Sequence, residues 1–308
     1  FRRVLFRSLR KLNPTKIAIN TSTDYGHADG LDHTEYLEFM QSLNATEQAK
    51  VISAEPLAVS WLETRTEKEM QLYPLLLQIT HAIIKEGFSN KVIHPNITTT
   101  QDLVWWFRQQ LSNKGLATWF HPSIEIQRRV SNENDEVIRP GDFLHVDFGI
   151  SYLRLNSDVQ EQAYVLLPNE KEVPQDLQAA FTKTNQLQDF LTNEFEVGKS
   201  GNQILKQALT KAKAAGIQPS IYTHPIGFHG HAAGTTIGMW DMQNGVPGSG
   251  DYTMKAKTCY SIELNATHTL TGWDKPVRVA LEQNGYFNGN SFEYIDGRQT
   301  KIHLIQSK

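Results

Sequence analysis

Cysteine is almost absent: Cys259 stands alone in 308 residues, so no intrachain disulfide framework can form. That suits a reducing compartment without requiring one. No apolar run is long enough to span a bilayer. No charge of one sign dominates either, since 30 basic and 33 acidic residues leave a formal net charge of −3. Such a balance gives no electrostatic reason to expect nucleic acid or an anionic membrane as a partner. Tandem repeats and low-complexity tracts are missing. Phe1–Leu12 is basic with scattered apolar residues and lacks the compact apolar stretch of a signal peptide. Because the chain starts at Phe, localisation stays open between cytoplasmic and exported.

What is present is ordinary for a globular protein, 39% hydrophobic and 20% charged, with length for roughly two domains. Lys16–Asn20 and Val51–Ala54 read as short strands, Thr21–Asp32 as turns, and Thr34–Leu43 as a helix. This opening stretch is too small for an independent α/β domain and is expected to be the tail of one. From Arg65 the pattern changes. Thr66–Lys85 carries Met70, Leu72, Leu75, Leu76, Ile79, Ile83 and Ile84 at helical spacing, with Glu67 and Glu69 at its N-terminal end. A second helix is expected over Gln101–Ser112, ending near Gly115, with Trp105 and Trp106 as core and rim packing. Strands are expected at Ala117–Phe120, Phe143–Phe148 and Ala163–Leu167, and amphipathic helices at Gln175–Phe195 and Gly201–Ala215. After Pro219 strands return. This order implies an α+β architecture, with a possible duplication of helix pair plus strand pair.

Four acidic residues occupy positions where an unpaired carboxylate would cost several kcal/mol. Asp147 lies in the apolar run Phe143–Ile150, and Asp158 follows at the far end of a hairpin that would bring the two together. Glu263 sits in Cys259–Leu264 and Glu282 ends Val277–Glu282. Between the pairs lies a turn with His224, His229 and His231. Adjacent carboxylates repel, so each needs a cation to stay ionised. Arg154 and Arg278 are available for a purely structural salt-bridge account. The alternative is a hard, oxygen-rich set for two divalent ions, Mn²⁺, Fe²⁺, Co²⁺ or Zn²⁺.

These residues resemble the pita-bread metallopeptidase family of methionine aminopeptidase, prolidase, aminopeptidase P and creatinase, whose ligand order is Asp, Asp, His, Glu, Glu. The match runs from Arg65 to the end, through His145-Val146-Asp147-Phe148-Gly149, Asn156-Ser157-Asp158-Val159, Gly230-His231-Ala232-Ala233-Gly234, Tyr260-Ser261-Ile262-Glu263-Leu264 and Ala280-Leu281-Glu282-Gln283. Arg65–Glu69, the Thr98–Thr100 cap and Arg139-Pro140-Gly141-Asp142 fit as lead-in features. Details lie nearer a bacterial Xaa-Pro peptidase-like branch than methionine aminopeptidase. The resemblance implies a pita-bread domain over 65–308, with 1–64 as the C-terminal part of a creatinase-like N-terminal domain, and a homodimer. It implies two metals, Mn favoured, with Asp147 chelating one, Asp158 and Glu282 bridging, and His231 and Glu263 completing the second. The implied reaction removes the N-terminal residue of short peptides, including Xaa-Pro bonds, by a metal-bridging hydroxide, with Glu263 as general base. His224 is the candidate for binding the substrate carbonyl or tetrahedral intermediate. Trp240, Tyr260 and Phe228 are candidate pocket walls.

The chain departs from the family in three places. No histidine stands near Arg129, within Gln127–Ser131, where the family has one; His121 is the available substitute. Trp240 before Asp241 replaces another expected histidine. His229 competes with His231 as the ligand. A non-catalytic peptide-binding module on the same fold, and metal-free creatinase-like C–N hydrolysis, are the alternative functions.

Overall fold

A computed structural model describes residues 2–130 and 135–307. The chain divides into two compact units, 1–62 and 63–308. The first contains α1 (Arg2–Leu12), β1 (Ile17–Ile19), α2 (His33–Ser42), α3 (Ala45–Gln48), β2 (Val51–Ser53) and α4 (Glu55–Glu63). β1 and β2 pair in parallel, Ile17 against Val51. Asp32 caps α2 by accepting from the Glu35 amide, and Asn44 with Glu47 forms a capping box on α3. Helix α4 was not expected from the sequence. Pro56 in its first turn is tolerated because the N–H it lacks would have no intrahelical acceptor there.

In the second unit, α5 (Glu67–Gly87) and α6 (Thr100–Lys114) precede β3 (Ser123–Gln127), β4 (Phe143–Phe148), β5 (Ser151–Tyr152), β6 (Leu155–Asn156) and β7 (Val159–Val165). Capping boxes start both helices, Thr66 with Glu69 and Thr99 with Asp102, and Gly115 closes α6 in the left-handed conformation. The segment 117–120, expected as a strand, makes only an isolated bridge from Ala117 to Ser151. Side chains hold it as a loop instead: Thr118 Oγ1 donates to the Phe120 and Gly149 carbonyls, and Trp119 Nε1 to the Ser157 carbonyl. The strand lies further on, in the alternating Ser123–Gln127.

Helices α7 (Gln175–Thr192) and α8 (Gly201–Ala214) follow, then β8 (Gln218–Ile221), β9 (His224–Pro225), β10 (Thr258–Ser261), β11 (Leu264–His268), β12 (Val277–Leu281), β13 (Asn284–Phe287), β14 (Phe292–Tyr294) and β15 (His303–Ile305). Besides the two-stranded β5-β6, sheets form among the described residues in the orders β15-β7-β4-β3, β12-β11-β8 and β14-β13-β10-β9. Each helix pair covers its own apolar core. Tyr73, Leu76, Ile84, Leu103 and Phe107 of α5 and α6 pack on Leu144, Val146 and Phe148 of β4. Leu177, Phe181, Leu187, Leu205 and Leu209 of α7 and α8 pack around Leu264, Val279 and Leu281. Full burial of each such side chain contributes about 1.5–3 kcal/mol. Leu72 and Leu75, expected in this core, remain exposed on α5.

Three chain segments change sheets at one level. The breaks fall at Tyr222–Thr223, Ile262–Glu263 and Glu282–Gln283. They are stitched together by Tyr222 N donating to the Glu263 carbonyl (3.1 Å) and Ile262 N to the Gln283 carbonyl (2.9 Å). A break in strand alternation re-aims side chains, and here it delivers Glu263 and Glu282 to one place. Strand β7 joins them through paired backbone bonds between Gln160 and Glu282.

Candidate metal centre

Asp147 and Gln160 are cross-strand partners on β4 and β7, which brings the Asp147 and Asp158 ends of the hairpin to the level of the strand breaks. The ligand atoms of Asp147, Asp158 and Glu282 lie within 4.8 Å of one another, and so do those of His224, Glu263 and Glu282. Glu282 is common to both groups. All four predicted carboxylates therefore converge. Burial first, then the neighbouring Glu282 carboxylate, pushes Asp147, Asp158 and Glu263 far above the usual carboxylate range. The salt-bridge account is not met: among the described residues no lysine or arginine ion-pairs with any of the four, and the Arg278 charge offsets burial at Asp147 and Glu263 only in small part. Arg278 pairs with Glu125 (2.9 Å) and Arg154 lies over the Phe228 ring.

Neutral hydrogen bonds hold some of the carboxylate oxygens. Ser261 Oγ donates to Glu282 Oε1 (2.6 Å) and receives from Asn284 Nδ2 (2.9 Å). Gln160 Nε2 donates to Glu263 Oε1 and to Glu282 Oε2, both at 2.7 Å. Asp158 N donates to Asn284 Oδ1 (2.9 Å). Asp147 Oδ1 is buried with no hydrogen-bond partner.

Two of the three histidines, His224 and His231, fall into the candidate ligand groups. His224 Nε2 lies 3.6 Å from Glu282 Oε1, 3.7 Å from Asp158 Oδ2 and 3.9 Å from Glu263 Oε2. Its Nδ1 is 3.0 Å from the Pro225 carbonyl. A carbonyl only accepts, so Nδ1 donates to it, and Nε2 is the atom turned toward three carboxylates. That atom is buried and has no hydrogen-bond partner. Such a cluster is stabilised when a cation, either a proton or a metal ion, lies between the imidazole and the three carboxylates. The arrangement therefore fits a metal ion, with the imidazole oriented through its other nitrogen.

His231, expected as the ligand, stands behind His224, ring centroids 4.5 Å apart. It also groups with Asp158 and His224 within 4.8 Å. Its ring lies against Trp119 (5.2 Å) and Tyr222 (5.6 Å) while an edge stays exposed. Burial, then the nearby His224, pushes it down to about 4. Gly230 lets this packing happen, since a Cβ there would come within 2.3 Å of the Trp119 indole. His229 meets Phe228 edge-on and joins none of the ligand groups found among the described residues. His121 faces Arg108 on the surface (3.1 Å), and Arg129 reaches Glu170 (3.8 Å). Ser131 lies outside the described residues.

A sequence profile of metallopeptidase family M24 matches residues 76–291. The chain belongs to metallopeptidase family M24. No individually curated protein matches it in sequence. Among solved structures, it is similar to an X-Pro aminopeptidase from Thermotoga maritima, at 13% identity over 98% of this chain and 78% of that one, with a TM-score of 0.68. An Xaa-Pro dipeptidase from Bacillus anthracis shares 17% identity over 97% of this chain and 77% of that one (TM-score 0.62). A methionine aminopeptidase from Thermotoga maritima shares 16% identity over 77% of this chain and all (100%) of that one (TM-score 0.57). The M24 chain thus has the α+β pita-bread fold.

The three aromatic residues expected around the site of this M24 protein take different places in the structure. Tyr260 is wholly buried and packs on Phe195. Its place on β10 turns it into the core beneath α7 and α8. The Trp240 ring meets Tyr222 (5.7 Å), which in turn meets His224 (5.5 Å). Tyr222 and Trp119 were missed in the sequence. Phe228 is half exposed on the same loop.

Proposed function

We propose that the protein is a dinuclear-metal peptidase that removes the N-terminal residue of short peptides, with Xaa-Pro bonds among its targets. The observation that carries this reading is the pair of ligand groups, Asp147–Asp158–Glu282 and His224–Glu263–Glu282, sharing one glutamate. The orphaned His224 Nε2 and Asp147 Oδ1 support cations on both sides of it. Four carboxylates balance two divalent ions, and a set this rich in oxygen favours Mn²⁺. The names of the similar aminopeptidase and dipeptidase structures support the Xaa-Pro preference.

The geometry supports exchanging the roles of two histidines relative to the sequence reading. His224 is the ligand. His231, set one ring further out between Trp119 and Tyr222, is the group that meets the substrate carbonyl. When bound, the ions supply Lewis acidity and bring the acidity of a water into the neutral range. Glu263 accepts the proton of the attacking water and passes it to the leaving amine. Trp119, Tyr222 and Trp240 wall the approach and exclude bulk water.

Purified protein should contain about two divalent ions and hydrolyse members of a Xaa-Pro peptide panel, with activity lost to chelator and restored by Mn²⁺. Metal-loaded protein that cleaves no member of the panel refutes the substrate assignment. Protein without stoichiometric metal refutes the enzyme and leaves the non-catalytic peptide-binding module.

A further inference from the structure

Strand β7 is wholly buried, yet at its second position it carries an uncharged amide in the centre of the acidic cluster. Gln160 pairs across the sheet with Asp147 and shares backbone bonds with Glu282. Its Nε2 donates to one oxygen of each glutamate, Glu263 Oε1 and Glu282 Oε2. The opposite oxygens, Glu263 Oε2 and Glu282 Oε1, are those that face His224. The amide thus occupies one oxygen of each carboxylate and leaves the other turned inward.

A second residue fixes the amide. His145, two positions before Asp147 on the same face of β4, places Nε2 2.8 Å from Gln160 Oε1. Ionised carboxylates only accept, so the amide must show them its NH₂ and turn its oxygen to His145. His145 must then donate from Nε2. On the far side His145 Nδ1 lies 3.5 Å from Glu125, which Arg278 holds at 2.9 Å. Hydrogen bonds thus run from His145 through the amide to the two glutamates, with the Glu125–Arg278 ion pair beyond His145.

We propose that Gln160, held by His145, is a positioning residue that clamps Glu263 and Glu282 so that each offers one oxygen to the ion bound with His224. This rests on the dinuclear reading above. Glu263 belongs only to the His224 group, whereas Glu282 serves both, so loss of the clamp weakens the ion on the His224 side more than the one on the Asp147 side.

The test is a competition titration of Mn²⁺ against a chromophoric chelator, using the full chain as wild type, Gln160→Ala, Gln160→Met, His145→Ala and the Gln160→Ala/His145→Ala double variant. Circular dichroism and melting in EDTA establish that each variant is folded. The weaker of the two Mn²⁺ binding steps should fall by about 10–100-fold in either Gln160 variant. It should fall in the same direction, by less, in His145→Ala. The His145 change should add nothing once Gln160 is gone, because it acts only through the amide. If Gln160→Ala does not fold, Gln160→Met, of similar volume, and His145→Ala carry the test. Folded variants with unaltered Mn²⁺ affinity and only a lower melting temperature in EDTA overturn the clamp and leave the dinuclear reading standing. Independent, additive losses from the two positions overturn it as well. A wild-type chain that binds no Mn²⁺ overturns both.

Discussion

Replacing His224 by alanine separates the two histidine assignments. Its Nε2 has no hydrogen-bond partner and lies within 3.6–3.9 Å of oxygens from three carboxylates. His231 is the other imidazole beside it, grouped with Asp158 within 4.8 Å. A four-ligand divalent site binds with roughly 10–16 kcal/mol, so one ligand accounts for about 2.5–4 kcal/mol, equivalent to roughly 10²–10³-fold in affinity. His224→Ala should weaken one of two Mn²⁺ sites by that factor, leaving the site built on Asp147, Asp158 and Glu282. His231→Ala should keep both ions while lowering kcat/KM. Isothermal titration of the chelator-treated protein, followed by elemental analysis after desalting, reads the difference. Two retained ions in His224→Ala with one lost in His231→Ala would refute the reasoning and restore the order expected from the sequence.

Glu263→Asp and Glu263→Gln both disturb a ligand, but only the second removes the proton acceptor; kcat at saturating Mn²⁺ should drop about 10²–10⁴-fold in the glutamine variant and markedly less in the aspartate one, and equal losses would remove the base role. Gly149→Ala would set a Cβ 2.2 Å from the Ser157 carbonyl and 2.7 Å from the Phe120 ring. Urea unfolding should show a loss of about 1–3 kcal/mol or more with weaker metal binding, because Ser157 precedes Asp158; unchanged stability would contradict the close packing. Glu63 is buried beside Lys255 (3.7 Å) and Tyr252 (3.3 Å), and burial pushes it from 4.5 up to about 7. Its folded form therefore holds a proton more tightly than the unfolded chain, so this contribution is complete below pH 4.5 and is lost as pH rises to about 7. The amount is on the order of 3 kcal/mol, and Glu63→Gln should flatten the stability profile across that window; parallel wild-type and variant profiles would refute it.

The four carboxylates were legible because acids in apolar strands demand an explanation, and their convergence requires only hairpin and strand geometry. Helices α5 to α8 were legible from apolar spacing and caps, with Thr99 and Gly115 at their expected places. The histidines were not. Three of them in a glycine-rich turn share a spacing with no fixed period, and the fold brings both His224 and His231 into candidate ligand groups. Trp119 and Phe120 looked like strand residues because apolar runs signal a sheet face. Thr118 and the Trp119 indole instead satisfy carbonyls of the neighbouring hairpin. Gln160 carried no warning, since a glutamine in a strand is unremarkable until its two acceptors are seen. Tyr222 was equally silent, because its wall position comes from the break between β8 and β9.

The central claim is that cations sit on both sides of Glu282. Anomalous diffraction from crystals grown with Mn²⁺ tests it most directly. Two peaks are predicted, one contacted by Asp147 and Asp158, the other by His224 and Glu263, with Glu282 touching both. A map with no peak among these residues, in a crystal where the carboxylates still converge, would contradict it.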